Sequence, residues 1–143
     1  MGILASAGHA VASVYRRPRI AVFATGDELI EPGQPLTPGT IYDSNLYMVQ
    51  GLLRGLGLDV ICAEQLVDEP VAAAASILGI SAKADAIITT GGVSVGEKDI
   101  FHQILPLLGC ERLFWRVLMK PGTPAMFSLL NGTPLLSLSG NPF

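Results

Sequence analysis

Cysteine is scarce in this 143-residue chain, which contains only Cys62 and Cys110. They form no CxxC pair and have no Cys/His spacing of the kind that holds zinc. The scarcity excludes a small scaffold held together by many disulfides. It favours two buried thiols in a reducing compartment over a disulfide or a metal site.

Charge is also sparse, and neither sign dominates. Charged residues make up 15% of the chain, and nine Lys and Arg against twelve Asp and Glu leave a net charge of −3. A protein that binds nucleic acid by neutralising phosphates needs a basic face, so this balance argues against a nucleic-acid partner. Hydrophobic residues make up 50% of the chain, which excludes an intrinsically disordered protein.

Long hydrophobic runs are absent as well. Residues 70–82 carry no charge but are too few to cross a bilayer, which takes about 20 apolar residues. Residues 121–143 are uncharged but contain four prolines and three glycines. Residues 1–13 lack the basic start of a secretory signal. We therefore expect a cytoplasmic protein without a membrane partner.

The apolar segments alternate between strand-like and helix-like patterns. Continuous apolar runs predict strands at 19–24, 58–66 and 84–89, an extended segment at 113–119, and a hairpin at 127–138 around Asn131-Gly132. Capping residues and helical spacing predict helices from Asp43 or Ser44 to Gly57, from Asp68 over 71–80, and from Asp99 to Leu108. This order predicts an α/β fold, with helices on both faces of a largely parallel sheet.

The first and last residues of the chain indicate how its domains are organised. Residues 1–15 are small and weakly patterned, which predicts a linker or frayed lead-in before one domain at 16–143. Asn141 and Pro142 resemble the cap and first residue of a helix. We therefore expect the chain to be one domain of a longer protein.

The polar and glycine-rich segments follow the predicted strands, where ligands bind in open parallel sheets. Asp27 and Glu28 follow the first strand and suit either a turn with a capping Asp or carboxylates that hold a metal or orient an anion. Asp43, Ser44 and Asn45 suit either a helix cap or a polar rim for a ligand.

The segment 89–99 is the most specific of these loops. Gly91 and Gly92 permit positive φ, so successive N–H groups can form an anion nest, and Ser94 adds a hydroxyl. Asp99 is suited to a cation that bridges to phosphate. The segment is neither a Walker loop nor a GxGxxG motif, and a purely structural glycine turn is the alternative.

Two further segments belong to these candidate ligand-binding loops. One is a lysine followed by a Pro-Gly turn, and the other is a second strand-turn-helix junction. Lys120 is either a positioned charge for an anion or an ordinary surface lysine. The junction at 139–142 offers further N–H donors. His9 and His102 have no partner residues for catalysis nearby in sequence, and no Ser/His/Asp arrangement is visible. Together these loops favour phosphoanhydride or oxyanion chemistry that proceeds by positioning and electrostatics.

Five motifs carry a resemblance to a known family. TGDEL at 25–29, IYDSN at 41–45, TTGGVSVGEKD at 89–99, KPGTP at 120–124 and SGNP at 139–142 resemble, in this order, the molybdopterin-binding domain of molybdenum cofactor biosynthesis proteins. GGVSVG and IYDSN are similar to the molybdopterin molybdenumtransferase branch, called MoeA and found in the C-terminal part of gephyrin. The resemblance implies a three-layer α/β/α sandwich whose mostly parallel sheet has one antiparallel strand. It also implies insertion of molybdate into adenylylated molybdopterin, with release of AMP and help from Mg²⁺.

The resemblance also implies roles for individual residues. Asp27 and Asp99 would lie near the metal or molybdate, and Lys120 would face the anionic ligand. The phosphate cradle would consist of Gly91, Gly92, Ser94 and Gly96. The pterin pocket would be bordered by Asp43, Ser44 and Asn45 and closed by Gly140, Asn141 and Pro142. The other residues expected at the cofactor site are Thr25, Gly26, Val93, Pro121, Gly122 and Ser139. Ser139 departs from the family, in which many members have proline.

The resemblance further implies partners and leaves two alternative functions open. In this family other domains and a second subunit complete the site, so we expect a homo-oligomer: a dimer for the full-length protein, or a trimer for the isolated domain. Contact with the adenylyltransferase partner protein is also expected. The isolated domain is expected to bind ligand weakly and turn over little. The alternatives are a molybdopterin adenylyltransferase, which would make adenylylated product from ATP, and a non-catalytic scaffold module.

Overall fold

The computed structural model describes residues 1–93, 99–120 and 122–141. Its helices are α1 (Gly2–Ser6), α2 (Asn45–Gly55), α3 (Pro70–Ser81) and α4 (Ile100–Leu108). Its strands are β1 (Arg19–Thr25), β2 (Leu29–Ile30), β3 (Ile41–Tyr42), β4 (Asp59–Leu66), β5 (Ala86–Thr90), β6 (Glu111–Trp115), β7 (Met126–Leu130) and β8 (Thr133–Leu138). None of the helices in these ranges has both the length and the apolar character to cross a membrane.

A six-stranded sheet organises the described residues, in the order β4-β1-β5-β8-β7-β6. The first four strands are parallel to one another, whereas β7 is antiparallel to both β8 and β6. Among these six strands β7 alone therefore runs against the others. The mostly parallel sheet with one antiparallel strand is confirmed.

The two faces of the sheet are covered by different helices. Alternate residues of β1 point to opposite faces, which explains why its entire apolar run is buried. On one face, Ile20 and Val22 pack with Leu46, Val49 and Leu53 of α2. The opposite face of the sheet is covered by α3 and α4, whose contributions to the core cluster include Ile77, Phe101 and Ile104. The predicted three-layer arrangement is confirmed.

The β7–β8 hairpin turns at Asn131 and Gly132, as the sequence predicted. Their φ angles are 49° and 85°, the positive values that a type I′ turn needs at both central positions. The two strands pair antiparallel from Leu130–Thr133 to Met126–Ser137.

Two local predictions were wrong, and one feature was not predicted. Asp68 does not cap α3, because Glu69 accepts from the N–H groups of Val71 (3.0 Å) and Ala72 (2.7 Å). β6 ends at Trp115 instead of continuing to 119, since the next residue, Arg116, has a φ of 72° that leaves the extended region. The proline- and glycine-rich segment after β1 contains an unpredicted pair of short parallel strands, β2 and β3.

The order of connections places a crevice at the carboxyl ends of β1 and β5. The chain leaves β1, passes through α2 to β4 on one side, and then crosses back through α3 to β5 on the other side of β1. Helices on opposite faces therefore diverge between these two strands. This is the topological switch point where ligands bind in open α/β sheets.

Candidate functional site

A cavity of about 520 Å³ lies at this switch point. Thr25 at the end of β1, Thr90 at the end of β5, and the segment 139–141 after β8 all contribute to its wall. Asn45 at the start of α2 and Ile100 at the start of α4 close it from the two helical layers. The sheet topology therefore brings together loops that are distant in sequence.

Gly91 and Gly92 allow two strand ends to approach each other. A Cβ atom on Gly91 would lie 2.2 Å from the carbonyl oxygen of Thr25, and one on Gly92 would lie 2.7 Å from Cγ2 of Ile100. Their φ angles of +83° and +63° also disfavour any residue with a side chain. Gly91 N–H donates to the Leu138 carbonyl at 3.0 Å, so the turn is tied to β8 while its backbone borders the cavity.

Two helices direct their N-terminal ends at the cavity. Asn45 is the first residue of α2 and Ile100 the first of α4, and both line the wall. Helix N-termini carry partial positive charge, so together these two helix starts suit a phosphate or another oxyanion. Asn45 Nδ2 also donates to the Gly140 carbonyl at 2.8 Å, which joins the start of α2 to the segment after β8.

Carboxylates cluster at the same cavity. Glu28, Asp68 and Asp99 line it, and Asp99 is only 8% exposed at the N-cap position of α4. Burial, followed by the negative charges of Asp27 and Glu28, raises the pKa of the Asp68 carboxyl above its ordinary value. A bound cation would relieve this repulsion.

The donor set suits Mg²⁺, which prefers oxygen ligands and keeps several of its waters when only one or two carboxylates bind it. Among the described residues, no three His, Cys, Asp or Glu side chains come together as a complete metal cage. The described carboxylates at the cavity therefore do not form a complete metal site by themselves.

The structure places most of the predicted site residues in one wall. Ten of them line the cavity: Thr25, Gly26, Asn45, Gly91, Gly92, Val93, Asp99, Ser139, Gly140 and Asn141. Asp27 is exposed and does not line the cavity, although its charge acts on Asp68. Ser44 is exposed at the N-cap position of α2. Asp43 is buried, accepts from Leu46 N–H at 3.0 Å, and lines a different cavity.

Lys120 and Gly122 do not line this cavity. Lys120 is exposed on the segment that follows β6, the edge strand, and β8 and β7 stand between β6 and β5. Neighbouring strands are about 4.8 Å apart, which puts the base of this segment roughly three strand spacings from the switch point. The predicted residues Ser94, Gly96, Pro121 and Pro142 lie outside the described residues.

Asp68 is the functional candidate that sequence reasoning did not assign to the site. It lies two residues after the end of β4, so the rule that polar residues after parallel strands face the ligand applies to it as well. Its suitability as a helix cap concealed this signal. Glu28, whose role the sequence left open, also lines the cavity, as do the apolar residues Leu29, Ile41 and Ile100.

Comparison with known proteins gives a consistent set of relatives. A family model described as a probable molybdopterin binding domain matches residues 21–143. A molybdopterin molybdenumtransferase of Haemophilus influenzae is 40% identical over 140 residues, covering 98% of this chain and 34% of that protein. The protein of that name from Nostoc is 41% identical over 145 residues, covering 99% and 33%. The chain thus spans about one third of the length of these curated relatives.

Solved structures agree with these matches. The crystal structure of the molybdopterin biosynthesis MoeA protein from Pyrococcus horikoshii has a TM-score of 0.83 at 28% identity, covering 99% of this chain and 34% of that one. The tungsten cofactor synthesizing protein MoaB from Pyrococcus furiosus has a TM-score of 0.64 at 16% identity, covering 90% and 85%. At that identity the second likeness shows the fold alone.

Proposed function

Since this chain belongs to the molybdopterin-binding domain family, as its motifs predicted, we propose that it is the ligand-binding domain of a molybdopterin molybdenumtransferase. In this proposal the longer protein inserts molybdate into adenylylated molybdopterin and releases AMP. The observation that carries the proposal is the cavity at the switch point, where a glycine turn, two helix N-termini and three carboxylates face one volume. Its size of about 520 Å³ falls in the range of small-molecule sites.

The backbone is proposed to hold the phosphate end of the ligand. The start of α4 contributes the positive end of a helix dipole, and the glycine turn at Gly91 and Gly92 lets a ligand approach the backbone closely. Asn45 and Gly140, joined by their hydrogen bond, border the far side and would orient the pterin end. Such preorganised dipoles favour a reaction in which negative charge builds up on leaving phosphate oxygens.

The carboxylates are proposed to hold Mg²⁺. Asp99 and Asp68 line the cavity, with Asp27 and Glu28 beside Asp68. When bound, Mg²⁺ would neutralise charge on phosphate and on molybdate oxygens. Lys120 is not among the described residues that line the cavity, and its role toward the anionic ligand stays a prediction.

Other parts of the longer protein are proposed to complete the site. Asp27 is exposed beside the cavity, so its carboxylate is accessible to a second domain or to a second subunit of a homo-oligomer. The isolated chain is therefore expected to bind AMP and adenylylated molybdopterin weakly and to show little turnover. Affinity equal to that of the longer protein would contradict this arrangement.

Isothermal titration calorimetry with AMP and with adenylylated molybdopterin tests the proposal. Wild-type protein is expected to bind both in the presence of Mg²⁺, and Asn45→Ala to bind about tenfold more weakly through loss of the bond to Gly140. Glu111→Gln on the distant strand β6 is the control and should bind like wild type. Mass spectrometry after incubation with ATP and molybdopterin provides the second arm. An adenylylated product in that arm, or no AMP binding in the first, would refute the proposed function.

A further inference from the structure

A second cavity, of about 390 Å³, shares no lining residue with the first. It lies between the start of α2 and the last residues of β4, where Leu46 and Glu64 contribute to its wall. Gln65 also lines it, and the Gln65 amide donates to the carbonyls of Gly26 (3.3 Å) and Leu29 (3.2 Å), which border the first cavity. The two cavities are therefore neighbours with different linings.

The wall of the second cavity includes a buried carboxylate of which only one oxygen accepts a hydrogen bond from the described residues. Asp43 is 3% exposed, and its Oδ1 accepts from Leu46 N–H at 3.0 Å. Its Oδ2 is buried and accepts no hydrogen bond from any described residue. A buried carboxylate oxygen without a donor is unfavourable, so a cationic donor that enters the cavity and reaches Oδ2 would relieve this cost.

The rest of the wall matches an organic cation. Glu31 and Glu64 are exposed acids at the cavity, and none of its described lining residues is basic. Leu46 and Ala63 offer an apolar surface of the kind that covers the methylene stem of a lysine or arginine. Tyr47, which is 49% exposed, adds an aromatic ring of the kind that attracts guanidinium and ammonium groups.

A metal ion fits this cavity less well. Within the described residues no three His, Cys, Asp or Glu side chains are grouped closely enough to hold one ion, and the volume suits a side chain or a small organic molecule. We propose that the cavity binds a guanidinium or primary ammonium group, with the cationic head on Asp43 Oδ2. The group is carried either by a small molecule or by an arginine or lysine of another protein.

Two-dimensional amide NMR of the 143-residue protein tests this proposal with two probes. Methylguanidinium represents the small-molecule source, and a capped Gly-Arg-Gly peptide represents the protein source. Saturable shift changes are expected at 43–47 and 63–65. Asp43→Asn keeps an oxygen for Leu46 N–H but removes the charge, and should weaken binding about tenfold or more. Glu111→Gln, an equal loss of charge on the distant β6, should leave binding unchanged.

Each outcome decides the proposal. Binding of methylguanidinium supports a small-molecule ligand, and binding of the peptide alone supports a protein side chain. If Asp43→Asn does not fold, Glu31→Gln with Glu64→Gln replaces it and is expected to weaken binding several-fold. Failure of both probes to bind, equal affinity in the variants, or shift changes produced by Mg²⁺ and not by the organic cations would overturn the proposal. AMP binding at the first cavity is measured separately and does not depend on these results.

Discussion

Alanine at Gly91 is expected to destabilise the protein more than alanine at Gly132. The two glycines have nearly the same φ, +83° and +85°, so both substitutions force alanine into the left-handed region at a cost of about 1–2 kcal/mol. A Cβ atom at Gly91 would also lie 2.2 Å from the Thr25 carbonyl oxygen, whereas nothing lies within 4 Å at Gly132. Overpacking of this kind adds about 1–3 kcal/mol.

The expected loss in the free energy of unfolding is therefore about 2–5 kcal/mol for Gly91→Ala and about 1–2 kcal/mol for Gly132→Ala. Urea unfolding followed by far-UV circular dichroism measures both, provided that the slopes against urea stay equal. Gly91→Ala should also weaken AMP binding, because it displaces a turn in the cavity wall, while Gly132→Ala should not. Equal losses of stability in the two variants would refute the argument that close packing against Thr25 requires glycine.

Three further predictions concern titratable groups. The Arg16 guanidinium holds the pKa of the Asp85 carboxyl well below its usual range, so this stabilisation is present above about pH 4 and is lost as the pH falls. Asp85→Asn should therefore lower the urea midpoint at pH 7 and approach wild type in acid; a gap independent of pH would contradict this. Burial and two neighbouring carboxylates raise the pKa of Asp68, and Mg²⁺ should lower it in a carboxyl NMR titration. An unchanged Asp68 pKa would count against a cation at this cluster. Burial raises the pKa of Cys62 and of Cys110 to about 11, so at pH 7.5 alkylation should be about 100-fold slower than in the urea-unfolded chain, and equal rates would disprove it.

Local patterns in the sequence predicted the layers of the fold. The unbroken apolar run of β1 implied cover on both faces, and Asn131-Gly132 implied a tight turn, because these features depend on backbone preferences and on the two-residue period of a strand. The family resemblance added the single antiparallel strand. All three are present in the structure.

Competition between local roles limited the prediction of the site. Asp43 and Asp68 are both good helix caps by residue type, and the sequence alone does not say which of them faces a ligand. The structure places Asp43 under α2, where it accepts from Leu46 N–H, and lets Glu69 cap α3, so that Asp68 faces the cavity.

The sequence by itself determined most of the strands, helices and turns, and which loops carry polar groups, since each of these depends on neighbouring residues. Only the tertiary structure decided which loops meet, because strand order is a property of the whole sheet. The order β4-β1-β5-β8-β7-β6 brings the turn at Gly91 against Thr25 and the segment at Gly140. The same order places β6, which precedes Lys120, at the edge of the sheet, although Lys120 is nearer to Gly91 along the chain than Thr25 or Gly140 is.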